Sequence, residues 1–174
     1  MLIILSQAIL HCAGAQDVSS LEWGRPITYS DFESQPNESD TAAANISVSI
    51  LLGYVNTKSN ILRFKVVAVM DKDESWIRKG FKQDHILKHE QGHFDIAQIF
   101  ARKLEDVLKK RFYTPKDVKA LNALYDEYLN RMNEVEVRYD EETRGGWDPV
   151  AQSKWRRYIA KSWGQIRSDV ANKS

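Results

Sequence analysis

Apolar and polar residues alternate from Ala44 to Val55, through Ile46, Val48, Ile50 and Leu52, and again from Ile61 to Met70, through Leu62, Phe64, Val66 and Ala68. A period of two turns one face of each segment toward a core. The polar run Asn56 to Asn60 between them is turn material, so the two segments are expected to pair as a hairpin, with Asp71 to Glu74 ending its second strand. Upstream, Trp23, Ile27 and Tyr29 read as a further strand-like stretch before a polar loop from Ser34 to Thr41.

Beyond residue 80 the period becomes helical. Phe81 to Phe112 carries one stripe, Ile86, His89, His93, Ile96, Phe100 and Leu104. Thr114-Pro115 stops this helix and supplies the cap and first-turn proline of a second, whose stripe runs Leu121, Leu124, Tyr125, Tyr128, Met132, Val135 and Tyr139 until Gly145-Gly146. Asp148-Pro149 opens a third helix with Trp155, Ile159, Ser162, Ile166 and Val170 along one side. Trp147, Trp155 and Trp163 are expected to form a packed aromatic edge. Strands followed by helices predict an α+β fold, a small antiparallel sheet packed on a long helix and followed by two further helices.

That long helix contains His89-Glu90-Gln91-Gly92-His93. Histidines four residues apart share one helical face and can hold one Zn²⁺, with Glu90 beside the metal to take a proton from its bound water. Core histidines without a metal would each need a separate partner, whereas one ion satisfies both and explains the adjacent glutamate. Catalytic zinc takes three protein ligands, and no histidine follows His93. His85 lies one turn before His89, but it and His93 are about 12 Å apart along the axis and cannot both reach one ion. The second helix offers Glu136 and Asp140, again one turn apart; in the glutamate-ligand helices of gluzincins the first such acid is the ligand and the second orients a histidine. The third ligand is therefore Asp140, Glu136 or absent. Asp95, two residues after His93, is a candidate partner for a ligand ring, and the strand Ile61 to Met70 is a candidate, by analogy with zinc peptidases, to hold an extended peptide.

Length and charge narrow the class. The 174 residues fit one domain, and 25 basic against 24 acidic residues give a net charge of +1, with no overall field for nucleic-acid binding. Residues 1–15 are apolar, uncharged and end in Ala13-Gly14-Ala15, which reads as a signal peptide too short for a permanent membrane span, although the usual positive start is missing. The expected organisation is a signal peptide at 1–15 and a single domain at 16–174. The one cysteine, Cys12, falls in the leader, so the mature chain has no disulfide.

Several stretches together resemble a known family, the bacterial domain of unknown function nine-two-two, described as predicted secreted zinc-dependent proteases. They are Pro26-Ile27-Thr28-Tyr29-Ser30-Asp31-Phe32, Ser75-Trp76, Leu87 through Ala97 with the histidine motif, and Tyr139-Asp140-Glu141-Glu142-Thr143, completed by Gln152 and Trp155. The resemblance implies a zincin-like fold, export and peptidase activity, with His89 and His93 as zinc ligands and Glu90 as general base. One position departs from the family pattern, which has a histidine two residues after Thr143, where this chain has Gly145. If that histidine is the third ligand the site is degenerate; Asp140 is the candidate because its oxygen suits zinc and the Tyr139-Asp140 pair is retained. The expected function is a secreted or periplasmic zinc metallopeptidase acting on peptides or proteins, with Tyr139 packed in the core or stabilising an oxyanion. The alternative is a catalytically impaired zincin-like exported binding protein.

Overall fold

The alternation through Ile46, Val48, Ile50 and Leu52 lies in β2 (Ala44–Asn56), which turns at Asn60 and returns as β3 (Leu62–Ile77), in the antiparallel pairing that the polarity pattern predicts. Asn60 takes a positive φ of 59° in that turn, where its amide donates to the Thr57 carbonyl. The computed structural model describes residues 19–171, with side chains to residue 164. The expected signal peptide and Cys12 lie outside the described residues, as do the side chains of Ile166 and Val170.

A short β1 (Ser20–Glu22) pairs with Val69–Asp71 on the far side of β3, so the sheet order is β1-β3-β2. Three of the expected boundaries differ. Tyr29 to Asp31 form a 3₁₀ turn rather than a strand, because the Asp31 carboxylate accepts from both the backbone and the hydroxyl of Thr28. Asp71 does not end the second strand. Its register jumps from Asp71 opposite Ser47 to Trp76 opposite Asn45, and the strand resumes to Ile77. The excursion is closed from inside by the buried Ser75, whose hydroxyl donates to the Asp71 carbonyl and accepts from the Ser47 amide. The first long helix is also shorter than its pattern, because a 3₁₀ turn occupies Lys79–Phe81.

The helices are α1 (Asp84–Leu108), α2 (Val118–Thr143) and α3 (Pro149–Ala171). Thr114 and Asp117 bracket the 3₁₀ turn that leads into α2, with the Asp117 carboxylate accepting from Thr114 at 2.8 Å and 2.9 Å. α1 packs on the sheet with one side and on α2 and α3 with the other, which is why its buried positions extend well beyond one stripe. Phe94, Ala97, Ala101 and Leu104 meet Ile50, Leu52, Val66, Ala68 and Met70 in one core, to which α2 adds Tyr125, Tyr128 and Met132. The buried Gln98 accepts a hydrogen bond from the Ala68 amide at 2.7 Å, tying α1 to the middle strand. The aromatic edge is only partly core: Trp155 is buried and Trp163 stacks on Trp23, but Trp147 is half exposed, edge-on to His85 and Phe81. Among the described residues no helix is long and apolar enough to cross a membrane.

Candidate metal centre

His89 and His93 are buried on the α1 face that meets α2. The turn geometry of α1 brings their Nε2 atoms to 3.2 Å of each other, and Asp140 of α2 places Oδ1 at 3.0 Å from one and 3.1 Å from the other. Ligands held about 2.0–2.1 Å from a tetrahedral ion are about 3.3 Å apart, so the triangle has the dimensions of three sites on one zinc. Among the described residues, these three form the one group of His, Cys, Asp or Glu side chains placed so that they could hold a metal ion.

The opposite ring nitrogens say which atoms face the triangle. Gln152 gives its amide N–H to the Tyr139 hydroxyl, which leaves its Oε1 to accept from His89 Nδ1 at 3.3 Å. His93 Nδ1 donates to Glu136 Oε2. With both rings neutral, their protons sit on Nδ1, and both Nε2 lone pairs then converge with a carboxylate oxygen and no donor between them. Three acceptors in contact repel one another unless a cation lies among them, so the residues present fit a metal ion. The charge balance agrees. Without a metal, burial lowers His93, but Glu136 and Asp140 overcome it and raise the ring well above its ordinary value; burial likewise raises Asp140, and the two imidazoles beside it outweigh that and hold the carboxyl well below the usual range. The centre calls for positive charge, which a proton or a metal supplies.

Tyr139 is the platform for both rings. It is fully buried, stacked on His89 with centroids 4.7 Å apart and edge-on to His93 at 4.8 Å. Its hydroxyl donates to the His89 carbonyl and accepts from Gln152, so both of its hydrogen-bonding roles are taken up in packing. A glycine contact closes over His89 at the α2 terminus, where Arg144, Gly145 and Gly146 all have positive φ and fold the chain back over α1. A Cβ on Gly146 would lie 2.8 Å from that of His89, while one on Gly145 meets nothing within 4 Å.

Glu90 is buried and lines a cleft of about 180 Å³ together with His93, Ala44, Asn45 and Ile46 of β2, and Glu136, Val137 and Asp140 of α2. Burial pushes its carboxyl up, against the opposing pull of His93 and His89. Glu136 is raised by burial too, and its Oε1 has no hydrogen-bond partner among the described residues.

Two sequence expectations are corrected here. The strand Ile61 to Met70 is not the one beside the cleft: it belongs to β3, paired along one side with β2 and at Val69–Asp71 with β1, and the strand that lines the cleft is β2. Asp95 touches neither imidazole and instead accepts from the Trp23 indole and the Gln91 amide, each at 2.9 Å, while Gln91 Oε1 accepts from the Ile27 amide. It fastens the N-terminal segment to α1. The roles of the two α2 acids are the reverse of the gluzincin order, with Asp140 in the convergent group and Glu136 behind His93. His85 lies outside the group, against Trp147. The sequence reading missed the contacts of Thr143 and Gln152, both noted only for resemblance: Thr143 is buried with its hydroxyl 3.4 Å from His89 Nδ1, and Gln152 Oε1 lies 3.3 Å from the same nitrogen.

Neither curated proteins nor solved structures give a match to this chain. Residues 68–146 match the sequence model of a family described as "Bacterial protein of unknown function (DUF922)", a segment that spans β3 from Ala68, all of α1 and α2, and the glycine turn over His89. Pro26 to Phe32, Gln152 and Trp155 lie outside it. The segment that matches this family carries both histidines, Glu90, Glu136 and Asp140.

Proposed function

We propose that this chain is an exported zinc-dependent peptidase of zincin-like fold. The observation that carries the reading is the convergence of His89 Nε2, His93 Nε2 and Asp140 Oδ1, three acceptors without a donor, beside the buried carboxyl of Glu90. Two imidazoles and a carboxylate are a catalytic zinc donor set that leaves a position open. When bound, zinc supplies a Lewis acid that polarises a carbonyl and acidifies water. Glu90 accepts the proton of the attacking water and delivers it to the leaving amine, and its burial favours the protonated form it must hold between those steps. Glu136 and Gln152 hold the two rings from behind, and Tyr139 holds them in plane. The free side of β2 beside the cleft supports an extended peptide as the substrate class, held by main-chain hydrogen bonds. The apolar segment 1–15 supports export.

The test is elemental analysis of the purified chain together with a peptide-library digest. About one zinc per chain, lost in His93→Ala, and chelator-sensitive cleavage that Glu90→Gln abolishes without losing metal are the expected results. Cleavage retained by Glu90→Gln would refute the mechanism. Stoichiometric zinc with no cleavage of any peptide would transfer the site to the binding-protein alternative.

A further inference from the structure

The near-zero net charge conceals a strongly polarised end of the molecule. Residues 55–65 and 108–116 contain seven basic residues and no acid; Lys65, Lys109 and Arg111 pair with Glu22, Glu105 and Asp117 from outside these segments, which leaves Lys58, Arg63, Lys110 and Lys116 without an ion pair among the described residues. The fold joins these two segments: the Leu62 amide donates to the Tyr113 carbonyl at 2.8 Å, and Thr57, Ser59 and Ile61 to Phe64 share a concavity of about 470 Å³ with Lys109, Arg111 and Phe112, with Glu105 the one acid in its lining. This end lies about 27 Å along α1 from Glu90, on the axial rise of a helix, so it plays no part in the metal centre.

Two apolar side chains project from this basic surface. Phe112 is 81% exposed and Val55 is 65% exposed, the two largest exposures among the large hydrophobic residues, together with Val150. Phe112 follows directly on Lys109-Lys110-Arg111, just beyond the end of α1, and the floor of the concavity is apolar, from Ile61, Leu62 and Phe64. Exposed apolar side chains ringed by one sign of charge mark an interaction surface. An aromatic that stands out from the surface, with lysine and arginine stems around it, suits insertion at the headgroup level of a bilayer, where the stems lie along the apolar layer and their heads meet lipid phosphate.

We propose that this pole docks on the surface of an anionic phospholipid bilayer, with Phe112 and Val55 entering the interface and Lys58, Arg63, Lys110 and Lys116 facing the phosphates. The docking does not depend on the peptidase reading; where both hold, it sets the cleft on the side of the molecule remote from the membrane.

The test is co-sedimentation of the full chain with phosphatidylcholine vesicles with and without phosphatidylglycerol. Binding is expected only with phosphatidylglycerol and should weaken as salt is raised. Phe112→Ser should weaken it about tenfold, the value of burying much of an aromatic ring. Lys58, Arg63 and Lys110 are exposed and make no ion pair among the described residues, so Lys58→Glu/Arg63→Glu/Lys110→Glu should keep the wild-type circular dichroism. At about fivefold for each basic residue near the surface, that variant should bind more than about a hundredfold more weakly. Equal binding to pure phosphatidylcholine, no binding to either vesicle, or binding indifferent to Phe112→Ser overturns the proposal. So does transfer of the chain from vesicles to duplex DNA added as competitor, which would assign the pole to nucleic acid.

Discussion

Replacing Gly92 by alanine tests whether the α1–α2 contact holds the metal centre in shape. A Cβ at this position would lie 2.2 Å from the Tyr139 hydroxyl oxygen and 2.7 Å from Cζ. A flexible side chain would move aside at little cost, but Tyr139 is fully buried, stacked on His89 and held through its hydroxyl by the His89 carbonyl and Gln152. Alanine gains about 1 kcal/mol over glycine in a helix interior. Against this stand about 1–3 kcal/mol for overpacking and about 1 kcal/mol for each tyrosine hydrogen bond that the displacement breaks. The net expectation is a loss of about 1–3 kcal/mol. Gly164 in α3 is the matched control, because a Cβ there meets nothing within 4 Å. Gly164→Ala should stabilise by about 0.5–1 kcal/mol. Urea denaturation in the presence of chelator measures both without the contribution of bound metal, and zinc titration of Gly92→Ala should show weaker binding, since the displaced ring is the one under His89. A Gly92→Ala protein as stable as Gly164→Ala, with unchanged zinc affinity, would refute the packing argument.

Three further outcomes follow from particular contacts. Glu136→Gln should lower zinc affinity about 10- to 100-fold, measured by competition with a chromophoric chelator, and Asp140→Asn should lower it more; the opposite order would give the ligand role to Glu136. Asp31 is buried, and Arg25, at 2.6 Å and 2.8 Å, holds its carboxyl well below the usual carboxylate range against the opposing effect of burial. Its folded-state pKa is depressed, so the stabilisation is complete above the unfolded value of about 4 and is lost as pH falls from there through the folded pKa. Wild type should therefore lose more stability than Asp31→Asn on acidification below about pH 4, read by denaturation at stepped pH, and parallel curves would count against the ion pair. Gln98→Leu leaves the Ala68 amide without its buried acceptor and should cost about 1–3 kcal/mol in the same assay, whereas a neutral result would mean that water replaces the side chain.

The fold was legible where a single physical signal governs an element. Period-two alternation in Ile46 to Leu52 and the capping pair Thr114 and Asp117 act within a few residues, and the hairpin and the second helix follow from them. The continuation of β3 past Asp71 was illegible because polar residues there satisfy a bulge from within. Asp71 accepts from the amides of Asp73 and Glu74, and Ser75 reaches across to Ser47, so residues that read as a stop are instead a detour. The place of Ile61 to Met70 in the sheet was hidden for another reason: alternation identifies a buried face but not which edge stays free, and the three-residue β1 that covers part of β3 has almost no signal of its own.

The site shows the same division. Helical periodicity alone puts His89 and His93 on one face of α1, and Glu136 and Asp140 on one face of α2, each pair one turn apart. Once the helices pack antiparallel, the pairs meet in reverse order, with Asp140 opposite His89 and Glu136 opposite His93. Either acid could then face Nε2 or Nδ1, and spacing along the chain does not distinguish them. What decides is the far side of each ring. Gln152 comes from α3 and occupies His89 Nδ1, so no carboxylate is needed there and the acid nearest that ring meets Nε2. His93 has no such amide, and Glu136 fills the vacancy behind it. In the proposed centre the third ligand is thus selected by a residue on a helix that carries none of the ligands, which is why the chain alone narrows it to two acids and only the packing of three helices sets Asp140 in the convergent group.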